Sequence, residues 1–236
     1  MIRGLYTAVS GILASTTRQS IVADNIANLN TVGFRQSRST TTDFGREVVL
    51  SGGGPIGRLG TATIVTGLTI DRSQGVLEQT GRPTDLAIEG DGLFVIGTPA
   101  GIAYTRAGDF GIDAQGILVT AQGYPVLDTA GRPIVTTGSL EVGPDGTVAG
   151  TNQRIALVGW PAAEPTRVGE TLMVATGSLA PAGGSIRQST LERSTTDVAS
   201  AMTELISLQR QFTLSARALT IQDGTLEDAV QLGRLR

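Results

Sequence analysis

Apolar positions recur every seven residues at both ends of this chain, while between them short apolar runs alternate with turn signals. From Asp197 to Leu232 the row Val198, Leu205, Phe212, Leu219, Leu226 is flanked by Ala201, Met202, Leu208, Ala216, Ala229 and Val230. The stretch has no Pro, and Gly224 is its only Gly. That pattern predicts a long amphipathic helix with a period nearer 3.5 than 3.6. Asp197, or Thr196 before it, is placed to cap the first turn. Arg234 and Arg236 set positive charge at the far end of the dipole. Such a stripe needs a partner, which is either the chain's own body or another helix.

The first 29 residues carry the same interval. Ile2, Val9, Thr16 and Ala23 form one row, and Leu5, Ile12, Gln19 and Ile26 the other. This reads as an a/d seam with two polar interruptions, Thr16 and Gln19, which either fix register or mark a stripe drifting out of a packed face. The helix is expected to stop between Asn28 and Gly33, because Asn and Gly tolerate the left-handed conformation of a helix C-terminus. Phe34 follows as an anchor.

Residues 36–67 are Ser/Thr-rich and then Gly-rich, which predicts a flexible linker with one short strand at Glu47 to Leu50. Gly52, Gly54 and Gly57 match the spacing of a dinucleotide fingerprint, but no helix opens after Pro55 and no acidic residue lies about twenty residues on. From about 68 to 193 the chain reads as β. Strands are predicted at Leu86–Glu89, Leu93–Gly97, Ile102–Arg106, Asp109–Asp113, Ile117–Thr120, Tyr124–Leu127, Ile155–Trp160 and Leu172–Ala175. A last strand or extended arm is predicted over Ile186–Arg193. The turns between them, among them Gly90-Asp91-Gly92, Ala121-Gln122-Gly123 and Pro144-Asp145-Gly146, absorb most of the 32 Gly residues. That spacing predicts an antiparallel meander or a small barrel. The fold class is therefore α+β: a β-rich central domain (68–193), an N-terminal helical segment (1–35), a linker (36–67) and a C-terminal helical segment (194–236). The two long helices are expected to pair as a coiled-coil-like arm.

Composition narrows the chemistry. Net charge is −3 without long like-charge runs, which gives no footprint for nucleic acid or an anionic membrane. The longest central apolar run, Leu93 to Ile96, is too short to span a bilayer. The N-terminal stretch, interrupted by Gly4, Thr7, Ser10 and Gly11, lacks the apolar core of a cleavable signal. There is no Cys and no His, and all 18 basic residues are Arg. Thiol and lysine nucleophiles, imidazole bases and the usual zinc ligands are thereby absent. What remains for chemistry is an acidic set, Asp85, Glu89, Asp91, Asp109 and Asp113, suited to carboxylate hydrolysis or a calcium ion. Asp beside Gly is also what tight turns demand, and no catalytic, cofactor or metal residue is assigned. A free-standing binding module is the other alternative.

Several motifs together resemble the flagellar basal-body rod proteins of the FlgF/FlgG type. They are Gly4-Leu5-Tyr6-Thr7-Ala8-Val9-Ser10-Gly11; Asn25-Ile26-Ala27-Asn28 with Thr31, Gly33-Phe34 and Arg35; Gly75-Val76-Leu77 with Thr80; Asp85-Leu86-Ala87-Ile88-Glu89-Gly90-Asp91-Gly92-Leu93-Phe94; Tyr104-Thr105-Arg106-Ala107-Gly108; and Gly116-Ile117-Leu118-Val119-Thr120. Asp24 stands where that family usually has Asn, and Arg35 where it has Lys. The resemblance covers nearly the whole length and leans to the FlgF, proximal-rod type. It implies a non-enzymatic structural subunit with no cofactor, exported unfolded through the flagellar type III apparatus into the periplasmic or cell-wall space. There it would polymerise with copies of itself and other rod and hook proteins, without inserting in a membrane. The expected assembly interface is Leu5, Val9, Ile12, Asn25, Ile26, Asn28, Gly33, Phe34, Val198, Met202, Leu205, Phe212, Leu219 and Leu226. Ordering both ends costs backbone entropy that one seam of buried side chains falls short of repaying. The helices are therefore expected to become rigid as neighbouring subunits cover their other faces.

Overall fold

The computed structural model describes residues 2–51, 54–136, 138–175, 177 and 179–234. The chain divides into two compact units, one of residues 1–26, 37–69 and 197–236, the other of residues 27–36 and 70–196. The architecture is α+β, with two helices and several small antiparallel sheets.

The first unit holds α1 (Ile2–Ala27), strands β1 (Ser37–Ser51) and β2 (Gly54–Ile70), and α2 (Val198–Arg234). Asp197 caps α2: its Oδ2 accepts the Ser200 amide at 2.9 Å, and its carbonyl accepts the Ala201 amide at 3.0 Å. The Asn25 side chain ties the end of α1 to the start of β1. Its Nδ2 donates to the Ser37 carbonyl at 2.8 Å, and its Oδ1 accepts the Ser37 amide at 2.9 Å. β1 and β2 pair across the stretch that composition reads as a connection. The Thr40–Thr69 and Thr42–Thr66 hydroxyls meet across the ribbon at 3.5 and 3.2 Å. Threonine carries two signals here: its polarity suggests a loop, but its β-branching favours a strand.

The second unit contains β3 (Leu77–Gln79), β4 (Leu86–Glu89), β5 (Leu93–Thr98), β6 (Gly101–Thr105), β7 (Gly111–Ile112), β8 (Leu118–Val119), β9 (Leu157–Val158), β10 (Thr166–Val168), β11 (Leu172–Val174), β12 (Ser185–Gln188) and β13 (Thr190–Glu192). Its largest sheet runs β10-β11-β6-β5-β9, and the two-stranded pairs are β12-β4, β13-β3 and β7-β8. No sheet closes among the described residues, so the small-barrel alternative gives way to an open set of short strands. Pro125 and Pro133 lack an amide donor, which leaves 124–127 with isolated bridges instead of the expected strand. Ser189, at φ 58°, breaks the expected run 186–193 into two strands that pair with different partners. β10, absent from the predicted strands, forms antiparallel to β11.

Leu118, Val126 and Ile134 are spaced eight apart and fully buried. Their backbones close a ring: the Leu118 amide donates to Ile134, Ile134 to Val126 and Val126 to Leu118, at 2.9–3.0 Å. One turn of chain per inward apolar residue thus replaces a flat meander. The core around this ring includes Leu86, Ile88, Ile96 and an edge-to-face pair, Phe94 and Phe110, with centroids 5.1 Å apart.

Candidate functional site

Two local constructions hold the residues singled out from sequence. In the first unit, Val22, Ala201 and Leu208 are buried together, with Ile26 and Leu205 half-buried beside them. Arg18 reaches Glu204 at 3.4 Å. A Cβ on Gly11 would stand 3.3 Å from the Ser215 Oγ, so contacts descend α2 as they climb back along α1.

On α1 the buried line is Ala8, Ser15 and Val22, alternating with half-buried Ile12, Gln19 and Ile26. The expected second row lies one residue away and points outward: Val9 is 39% exposed, and Thr16 and Ala23 are exposed. Close approach selects small side chains, whereas a hydrophobicity pattern picks out large ones. Thr16 is therefore off the buried line and returns its hydroxyl to the Ile12 carbonyl at 2.9 Å. Gln19 is on it. On α2, the expected row is half-buried at Leu205 and Leu219 and exposed at Val198 and Phe212. The deeply buried positions are instead Ala201 and Leu208, and Met202 is 52% exposed. The side chains of Leu5 and Leu226 lie outside the described residues.

The second construction follows α1. Asn28 accepts the Thr31 amide and hydroxyl at 3.2 and 3.1 Å, turning the chain. Gly33, at φ 66°, donates its amide to the Glu192 carbonyl at 2.8 Å. A Cβ there would come within 2.3 Å of the Ala107 amide nitrogen, so both conformation and space require glycine. Phe34 is fully buried beneath the Arg167 guanidinium, 4.3 Å from the ring centroid. The signature residues Asn25, Asn28, Gly33 and Phe34 are thus buried by their own chain.

Arg35, Arg106 and Glu192, each with at most 2% of its surface exposed, form an ion network that sequence reasoning missed. Glu192 pairs with Arg35 at 2.8 Å and with Arg106 at 2.5 Å, and accepts the Gly75 amide at 2.7 Å. Arg106 also donates to the carbonyls of Ile88, Gly90 and Gly92 at 2.8, 2.7 and 2.5 Å. Burial pushes the Arg35 guanidinium down to about 10. Glu192 opposes that shift and the like charge of Arg106 adds to it, and Arg35 stays charged at neutral pH. Arg35 and Arg106 both stood in quoted motifs, but no spacing rule linked them to Glu192.

The acidic set does not converge. Asp85 is taken by Arg82 at 2.6 Å and Thr80 at 2.6 Å. Asp113 accepts the amides of its own turn, Gln115 and Ile117. Glu89 faces Arg187 at 3.6 Å. Asp109 bridges Asp85 through the backbone, and burial, with the Asp85 charge adding, holds its carboxyl above the usual range. Asp109 opens onto a cleft of about 200 Å³ with Thr31, Thr105 and Glu170, whose lining does not include Asp85, Glu89 or Asp113. Among the described residues no cluster of three or more potential metal ligands occurs, and no helix is long and apolar enough to cross a membrane.

Three family models match the chain: "Flagella basal body rod protein" over residues 5–35, "Flagellar hook protein FlgE/F/G D1 domain" over 87–150, and "Flagellar basal body rod FlgEFG protein C-terminal" over 187–232. The chain is 36% identical to the flagellar basal-body rod protein FlgG of Bacillus subtilis, across 99% of this chain and 100% of that protein. It is 33% identical to the FlgF rod protein of Mesorhizobium japonicum, across 96% of each. Similarity to the flagellar hook protein FlgE of Treponema pallidum, at 31%, takes in 59% of this chain and 33% of the other.

Proposed function

The chain belongs to the flagellar basal-body rod protein family of the FlgF/FlgG type, and from that premise we propose that α1 and α2 are the parts by which it polymerises. It is a structural subunit of the bacterial flagellar rod, located in the basal body. In our reading the two helices pair as a coiled-coil-like arm, the domain of residues 68–193 is the bulk carried on it, and 36–67 joins them. Neighbours are copies of this chain and other rod and hook proteins, reached by export through the flagellar type III apparatus into the periplasmic or cell-wall space. Relatives named FlgG and FlgF cover the chain at similar identity, and the reading holds for a proximal or a distal rod subunit.

The observation that carries it is the apolar surface both helices leave uncovered: Val9, Leu13, Met202, Phe212 and Leu214 are between 38 and 65% exposed. Exposed apolar surface on this scale fits an interaction face. Val9, Val198, Met202 and Phe212 would meet neighbours directly, with Leu5 and Leu226 extending the same rows. Ile12, Ile26, Leu205 and Leu219 would hold the pair together. Asn25, Asn28, Gly33 and Phe34 would act through the shape of the chain where it leaves α1. Deletion of residues 197–236 is expected to abolish swimming and to leave basal bodies without this subunit; normal rods containing the shortened chain would refute the proposal. Circular dichroism of the isolated chain is expected to show less helix than the assembled form.

A further inference from the structure

Resting on the reading that copies of this chain lie beside one another, we infer that the second unit makes a contact of its own: the cleft at Asp109 receives the side chain of Arg154 from a second copy. The cleft lies between the turn after α1, the chain just beyond β6, and the turns at Gln122 and Glu170. At about 200 Å³ it is smaller than the roughly 300–1,000 Å³ of a small-molecule pocket, and suits one long side chain. Val32, Ala107 and Leu172 give it apolar walls, and the charged residues in its lining, Asp109 and Glu170, are both acidic. An apolar stem with a cationic head matches that lining. Neither carboxylate makes an ion pair among the described residues, whereas Glu78, Glu89 and Glu164 of the same unit are paired with Arg193, Arg187 and Arg72. Burial holds the half-buried Asp109 carboxyl above its ordinary value; its own amide and Arg82 oppose that shift, and Asp85 adds to it. A cation brought from outside would offset the desolvation.

Charge complementarity names the occupant. All 18 basic residues of the chain are Arg, so the cationic side chains that a second copy offers are guanidiniums. In the second unit Arg72, Arg82, Arg132, Arg187 and Arg193 are each paired with a carboxylate. Arg35, Arg106 and Arg167 are buried or half-buried. Arg154 is exposed, and no carboxylate lies within ion-pair distance of it among the described residues. Its Nε donates to the Asp145 carbonyl at 2.5 Å, which leaves both terminal nitrogens free to reach outward. An apolar side chain stands beside each surface. Val168, 52% exposed, pairs with Leu172 across β10 and β11. Val135, 41% exposed, has its amide held at 2.9 Å by Gln153, the neighbour of Arg154. The contact thus sets a basic projection in an acidic cleft, with one apolar residue at the rim of each. Arg210 and Arg217 on α2 are also exposed without an ion pair among the described residues, and the test separates them from Arg154.

The chain has no Cys, so a short bismaleimide joins introduced cysteines alone. Gln122→Cys marks the cleft, and Asn152→Cys marks an exposed position two residues before Arg154. In basal bodies from cells making both full-length forms, the reagent is expected to give the mixed dimer. Adding Arg154→Gln to the second form, or Glu170→Gln to the first, is expected to cut its yield about fivefold, and Arg154→Glu combined with Glu170→Arg to restore it. Both positions are exposed, and circular dichroism checks that the fold is kept. Agmatine, a guanidinium on an aliphatic stem, is expected to shift the amide resonances of Ala107 and Gln122 in the purified chain, and to bind about tenfold more weakly after Asp109→Asn with Glu170→Gln. Absence of the mixed dimer, or a yield indifferent to Arg154→Gln, overturns the inference. Agmatine binding without the mixed dimer overturns it as well and gives the cleft to an arginine of another protein. A yield that falls with Arg210→Gln and Arg217→Gln in place of Arg154→Gln moves the occupant to α2, against the inference. If the dimer is missing while deletion of residues 197–236 removes rods, assembly through the helices stands and this contact falls. Normal rods from the shortened chain, with the dimer still formed, would refute the helical reading and leave this contact standing.

Discussion

The two units of this chain solve burial differently. The β unit encloses Leu86, Ile88, Phe94, Leu118 and Ile134 completely and seals Arg35, Arg106 and Glu192 among them. Among the described residues, the helical unit gathers Val22, Ala201 and Leu208 into its buried cluster, while Tyr6, Leu13, Ile206, Leu214 and Ile221 remain more than half exposed. The β unit leaves single apolar side chains such as Val76, Ile102 and Val168 more than half exposed around that enclosed core. The helical unit has apolar surface left over on each helix. Among the described residues, the chain thus encloses a large apolar core in one unit and a small buried cluster in the other, and the difference lies in how many side chains find partners within the chain.

The largest blow to this contrast should come from Glu192→Gln, which leaves Arg35 and Arg106 buried with a neutral partner. A loss of about 3–5 kcal/mol in denaturant unfolding is expected, and a loss under 1 kcal/mol would mean the network is not sealed from water. Next, Gly108→Ala places a methyl 1.6 Å from the Leu86 carbonyl oxygen and breaks the Leu86–Gly108 backbone bond. It should cost about 3 kcal/mol or more, with hydrogen exchange rising first in β4.

Leu208→Ala removes the largest buried side chain among the described residues of α2. It should cost about 2–3 kcal/mol, seen as lost helical circular dichroism with the β signal retained; unchanged helix content would mean the α1–α2 contact contributes nothing in the free chain. The smallest effect concerns Asp197. Its carboxyl is held below the ordinary value of 3.8 because it accepts the Ser200 amide. The folded value is lowered, so the cap's contribution is complete above that pH and fades as pH falls through the folded value. Helix content should decline slightly there in the parent and stay flat in Asp197→Ala.

Much of this was readable in order along the chain. β4 falls on Leu86–Glu89 as patterned, because an apolar run bounded by glycine turns leaves few alternatives. α2 begins after Asp197 because only a capping side chain there satisfies the first amides. Where small side chains make the contact, as at Ala8 and Ser15, the pattern misplaced the buried line by one residue. Threonine-rich β1 and β2 were hidden by polarity. The Arg35–Arg106–Glu192 network was invisible because its members come from distant parts of the chain, and no local period joins them. The apolar excess on both helices was legible in the seven-residue pattern, though which of its positions stay exposed was not.

Glu192 also imposes an order in time. Synthesis proceeds from the N-terminus, so Arg35 and then Arg106 are both made well before the anion that compensates them. The anion that lets them leave water arrives 86 positions after Arg106. A nascent chain should therefore keep this centre wet and open until the final fifth begins to emerge.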